Sequence, residues 1–76
     1  QLTAHVLREF PDVIDLHDVH VWQIAERFNC LTAHVTVKPE AMAQYTELVV
    51  RISASLKTHF EIGHATLQPE LPNTQR

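Results

Sequence analysis

Three short stretches place imidazole and carboxylate groups on segments that otherwise alternate apolar and polar: Leu16-His17-Asp18-Val19-His20-Val21-Trp22, Leu31-Thr32-Ala33-His34-Val35, and Ile62-Gly63-His64-Ala65-Thr66-Leu67-Gln68-Pro69-Glu70. Neutral imidazole nitrogens and carboxylate oxygens are the donors that zinc-type divalent cations take, and a small sheet displays such donors on the face it does not bury. The chemistry offered is therefore cation ligation. Six histidines in 76 residues are an excess that composition alone does not explain. With an unperturbed pKa near ~6.5 they are largely neutral, and competent as ligands, around neutral pH.

The elements that position these groups follow from periodicity. Leu2, Val6, Leu7 and Phe10 have helical spacing, and Pro11 stops that helix by forcing the residue before it out of the α region. Residues 14–25 are rich in Val, Ile and Trp and read as a strand. Glu26-Arg27-Phe28-Asn29 reverses the chain, with Asn29 the residue best suited to a positive φ. Residues 30–37 are the cleanest strand, because Leu31, Ala33, Val35 and Val37 alternate with Thr32, His34 and Thr36. Lys38-Pro39-Glu40 starts a second helix, whose stripe of Tyr45, Leu48, Val49, Ile52 and Leu56 carries it to about His59. Residues 62–70 form a third strand, with Ala65 and Leu67 inward and His64, Thr66, Gln68 and Glu70 outward. Residues 1–70 thus read as one domain and 71–76 as a tail. The order α-β-β-α-β predicts an α+β fold, a ferredoxin-like open sandwich with a three-stranded mixed sheet and both helices on one face.

His34 is the strongest single ligand candidate, since it is central on a well-defined strand and faces away from the helices. Its cross-strand neighbours on the third strand are Gln68 and Glu70; the competing role is a cross-strand partner at a dimer contact. His17 and His20 are three residues apart, which places them on opposite faces of a regular strand unless a bulge intervenes. Alternation groups His20 with Trp22, and His17 with Val19 and Val21. His17 reads equally as an exposed turn histidine. His64 shares the outward face with Gln68 and is also consistent with an ordinary strand-entry residue. Trp22 suits a dimer-face anchor. His5 and His59 have no nearby partners in sequence and read as surface residues, and Cys30 as a small packed thiol.

The formal charge of -3, from six basic against nine acidic residues, with Lys38, Arg51 and Lys57 scattered, disfavours a nucleic-acid or anionic-membrane surface. One cysteine allows no intrachain disulfide. No apolar run approaches the about 20 residues of a membrane-spanning helix, and the chain, starting at Gln1 without Met, reads as a soluble piece of something longer. There is no His-Glu-x-x-His helix, no glycine-rich phosphate loop and no recognisable Ser-His-acid set, so the chain is read as non-enzymatic. So small a domain with one bare sheet face favours a partner or a metal.

Taken in order, the His-x-Trp of His20 and Trp22, the Leu31-Thr32-Ala33-His34 stretch and the His64-Ala65-Thr66-x-Gln68-x-Glu70 stretch resemble the cytosolic C-terminal domain of a cation diffusion facilitator, a proton-coupled exporter of zinc-type cations. The resemblance covers residues 6–70. It implies a homodimer, a transmembrane transporter part outside this chain in an inner or plasma membrane, and bound Zn2+ or another divalent ion such as Co2+, Cd2+ or Ni2+ acting as effector. It also implies ligand roles for His17 of the His17-Asp18 motif, for His34 and for Glu70. The family often carries His where this chain has Gln68, a poorer zinc ligand, which predicts a weaker site or one completed by water. The resemblance further suggests a dimer-bridging site at His64, and Glu47 alone corresponds to a ligand some relatives carry on the second helix. The expectation is a metal-regulated dimerisation module. Its rivals are a purely structural dimerisation domain and a free-standing metal carrier, the latter disfavoured by the single cysteine.

Overall fold

The computed structural model describes residues 1–72, so the expected tail lies outside the described residues apart from Leu71 and Pro72. Helix α1 spans Leu2–Glu9, strands β1 and β2 span Val13–Ala25 and Phe28–Val37, a 3-10 segment covers Pro39–Gln44, helix α2 spans Tyr45–Phe60, and strand β3 spans Ile62–Glu70. The sheet order is β1-β2-β3, with β1 antiparallel and β3 parallel to the central β2. This is the α-β-β-α-β arrangement with a mixed three-stranded sheet that the hydrophobic pattern predicts.

Local chemistry sets the element ends. The Gln1 side-chain oxygen accepts from the Ala4 N–H at 2.8 Å and caps α1. At its other end Phe10 is extended, ahead of Pro11, while still donating its N–H to Val6 O at 2.9 Å. The second helix does not begin as an α-helix at Lys38-Pro39-Glu40. Those residues open a 3-10 turn, in which Ala41 N–H reaches Lys38 O at 2.9 Å, and α-helical bonding starts at Tyr45. The helix stops at Glu61, which takes the left-handed conformation (φ 57) more often given to glycine and donates its N–H to Leu56 O. The Asn29 side-chain amide donates to the Glu61 carbonyl at 3.3 Å, tying this cap to β2.

The hairpin differs from expectation in its turn. Phe28 and Asn29 already belong to β2, paired with Ala25 and Gln23. The reversal is only Glu26-Arg27, and Arg27, not Asn29, takes the positive φ of 62.

The core is one cluster between the helices and one sheet face. Leu31, Ala33, Val35 and Val37 of β2 are all buried, against Val6 and Phe10 of α1, Leu48, Ile52 and Leu56 of α2, and Ile62 and Leu67 of β3. The Tyr45 hydroxyl donates to the Leu67 carbonyl at 3.0 Å and fastens the start of α2 to β3. Burial of Tyr45 removes water from its hydroxyl and pushes its pKa up to about 12. Beyond Val19 the residues of β1 are exposed. Val21, Trp22, Ile24 and Phe28 therefore form an apolar end of the hairpin, on a molecule of 37 × 23 × 20 Å.

Candidate metal centre

The site begins with a register shift in β1. His17 pairs with His34, but the next pair is His20 with Thr32, so β1 advances three residues while β2 advances two. The extra residue is a β-bulge, and within it Asp18 is left-handed, with φ 56. Asp is among the few L-residues that tolerate this conformation. The bulge reverses the alternation of β1, so His17 and His20 both point to the outer face with their partners His34 and Thr32, instead of to opposite faces.

On β2 the alternation continues undisturbed and His34 is outward. Its parallel neighbour on β3 is Gln68, and two residues further on Glu70 lies beside Thr36. The Glu70 carboxylate reaches back to both imidazoles: Oε1 is 3.1 Å from His17 Nε2, and Oε2 is 2.5 Å from His34 Nδ1. The two rings lie 5.3 Å apart, centre to centre. One nitrogen of each and a Glu70 oxygen fall within 4.8 Å of one another, a group drawn from all three strands.

Two further carboxylates stand behind the imidazoles. Asp15 Oδ2 is 3.2 Å from His17 Nδ1, and Asp18 Oδ2 is 3.5 Å from His34 Nε2. Glu70 is the most enclosed of the charged groups, with its side chain 20% exposed against 36% for His17. Distance alone overstates the bonding. Glu70 Oε1 and His17 Nδ1 are buried atoms without an aligned hydrogen-bond partner, a deficit that costs about 1–3 kcal/mol for each such group.

This donor set fits a divalent transition cation. Tetrahedral coordination with bonds of about 2.0–2.1 Å sets donors about 3.3 Å apart, close to the His17–Glu70 separation, and it would satisfy the unpaired Glu70 oxygen. Carboxylates behind metal-binding imidazoles fix their tautomer and orientation and raise their basicity. Asp15 and Asp18 are disposed for that role. Sequence reading did not single out Asp15, although it lies two residues from His17.

The remaining candidates lie outside the group of His17, His34 and Glu70. Gln68 is the in-register neighbour of His34 on β3. His20 is exposed and makes its nearest contact, 3.4 Å, with Asp18. His64 pairs in register with the buried Cys30, near the hairpin, and touches Thr66 at 3.4 Å. Trp22 is 46% exposed on the apolar hairpin end. Glu47 lies in the first turn of α2, where an acid complements the helix dipole.

His5 and His59 are not the isolated surface residues that their sequence surroundings predict. Where α1 crosses α2, their ring centres are 4.7 Å apart, and His5 Nε2 lies 2.7 Å from Glu9 Oε1 and 2.9 Å from Ser55 Oγ. The Ser55 hydroxyl donates to Glu9 Oε1 at 2.7 Å. That hydrogen bond, together with the His5 and His59 rings, holds the Glu9 carboxyl below the usual carboxylate range, against an upward pull from partial desolvation. The set is no hydrolase triad, because His5 presents the same nitrogen to both Ser55 and Glu9, leaving none to relay a proton. The i,i+4 spacings of His5 with Glu9 and of Ser55 with His59 were readable signals; the crossing that joins them was not.

Known proteins share this fold. Residues 2–71 match the family described as cation efflux protein, cytoplasmic domain. The zinc transporter ZitB of Escherichia coli is 37% identical over 70 residues, covering 92% of this chain but 21% of its own length. The chain thus spans about a fifth of that relative. Among solved structures, the metal-bound C-terminal domain of the CzcD transporter from Thermotoga maritima superposes with a TM-score of 0.79 at 23% identity, covering 96% of this chain and 86% of that one. The metal-bound C-terminal domain of the CzcD transporter from Cupriavidus metallidurans gives 0.71 at 31% identity, covering 90% and 96%.

Proposed function

The chain belongs to the cytoplasmic-domain family of cation efflux proteins, and from that premise we propose that it is the regulatory and dimerisation module of a proton-coupled divalent-cation exporter, with zinc as its effector. His17, His34 and Glu70 hold the ion on the outer sheet face, and water completes the coordination where Gln68 offers only a neutral amide oxygen. Bound there, the cation supplies a positive charge that satisfies two imidazoles and a carboxylate at once. It also links the third strand to the first two.

The observation that carries this reading is the convergence of those three donors from three strands around a buried Glu70 oxygen with no aligned partner. The Asp15 and Asp18 carboxylates stand behind the imidazoles, at 3.2 Å from His17 Nδ1 and 3.5 Å from His34 Nε2. The ZitB relative is a zinc transporter and two structural neighbours are metal-bound domains, which supports zinc as the class of ion. A metal that binds one dimer geometry better than another shifts the population towards it by the difference in affinity and by no more.

Calorimetric titration of the chain with zinc tests the assignment. His34→Ala is expected to bind one ion fewer per chain than wild type; equal stoichiometry would refute the site. For wild type, free zinc at about 100 times Kd adds about 2.7 kcal/mol of stability. For a domain of this size that is a rise of roughly 10–20 °C in Tm. The rival reading, a dimerisation module with incidental histidines, draws on the apolar hairpin end at Val21, Trp22, Ile24 and Phe28. It predicts zinc-independent dimers and no loss of stoichiometry in His34→Ala.

A further inference from the structure

The molecule has a second convergence of metal-type donors, on the helical side, away from the bare sheet face. His5 and Glu9 are one turn apart on α1, and His59 is in the last turn of α2. One donor atom from each lies within 4.8 Å of the others.

Three observations favour a cation here beyond the His5–Glu9 contact. First, the donors are not used up: among the described residues neither ring nitrogen of His59 nor the second Glu9 oxygen has a hydrogen bond. Second, Glu9 is the last residue of α1, the end where a helix's carbonyls carry partial negative charge and an acid is unfavourable. The last turn of α2 comes to the same place through Ser55 and His59, so the ends of two helices and a carboxylate together favour positive charge. Third, the carboxylate is already oriented. Ser55, itself buried, donates to Glu9 Oε1 at 2.7 Å in the manner of an outer-sphere partner. Arg8 and Lys57 also lie in these last turns, but among the described residues neither pairs with Glu9, and the Arg51 guanidinium is directed over the Phe10 ring at 5.5 Å.

We propose that His5, Glu9 and His59 form a second site for a zinc-type divalent cation, one that staples α1 to α2. Two imidazoles and one carboxylate select a borderline transition ion over calcium or magnesium, which take oxygen donors. Three protein ligands leave one position for water. The site holds the first helix of the domain against the second, and it is independent of the sheet-face ligands.

The test is the number of Co2+ ions bound per chain, read from the visible absorption of tetrahedral cobalt, for wild type, His59→Ala and His5→Gln. Each variant is expected to bind one ion fewer than wild type, with its circular dichroism unchanged. Wild type binding two and His59→Ala one supports both sites. Wild type binding one and His59→Ala none keeps the helical site and rejects the sheet-face one. Equal stoichiometry in wild type and both variants overturns the helical site, whatever the sheet face holds.

Discussion

At the scale of single residues, the sheet-face group shows how far side-chain type and parity carry. His34 and Glu70 were legible because the pairing of β2 with β3 is regular from Cys30–His64 to Thr36–Glu70, so an outward assignment in sequence remains outward in space over that stretch. His17 was legible only as a residue type. Its face depends on Asp18 adopting a left-handed backbone, a choice made when β1 pairs with β2 and not marked by any glycine or Asn-Gly signal. Asp15, which backs His17 at 3.2 Å, gives a first prediction. Asp15→Asn keeps the shape but removes the carboxylate charge that stands behind His17. Zinc affinity, measured by competition with a chromophoric chelator, should fall about tenfold, the lower end for such partners because Asp15 is exposed. Tyr45 gives a second. Its folded pKa of about 12 lies above the ordinary tyrosine value of 10.0, so its contribution is complete below pH 10 and is lost as pH rises towards and through 12. Tyr45→Phe should cost about 1 kcal/mol at neutral pH through the lost bond to Leu67. In urea titrations the gap between wild type and variant should close as pH climbs above 10.

At the scale of elements, the hydrophobic periods were sufficient for order and type, since both the β2 alternation and the α2 stripe extend over many residues. Ends were less legible because they depend on single backbone choices that competing residues can make. Asn29 looked the natural left-handed residue, but the tight pairing of Ala25 with Phe28 assigns that step to Arg27. The α2 terminus likewise places Glu61 where glycine is preferred. Glu61→Gly should remove the left-handed penalty of about 1–2 kcal/mol and give back part of it through a more flexible unfolded chain. A net gain of about 0.5–1 kcal/mol, seen as a Tm rise of a few degrees, is expected. A loss of stability would mean that the Glu61 side chain matters to the cap more than its backbone does. The joining of His5 with His59 belongs to this scale as well, since helical spacing fixes each helix's face but not the angle at which two helices meet.

At the scale of the whole molecule, the sheet has one side sealed by helices and one side that is polar near Glu70 and apolar towards the hairpin tip. Sequence could anticipate the bare face from two helices covering a three-stranded sheet. It could not anticipate that the tip would leave Val21, Trp22, Ile24 and Phe28 exposed together, because that depends on how far β1 and β2 extend beyond the helical layer. If the tip is the seam between two copies, Trp22→Ser should weaken self-association by about 2 kcal/mol, some thirtyfold in the dimer Kd, by sedimentation equilibrium. An unchanged dimer Kd would move the seam elsewhere.

Glu70 is also the final residue of its strand. Terminal ladder bonds ordinarily open and close with little cost, but with a cation held by Glu70 as proposed, opening would require giving up a ligand. Amide hydrogen exchange over the last residues of β3 should therefore slow in step with cation occupancy, making the loose end of the sheet a gauge of what the imidazoles beside it hold.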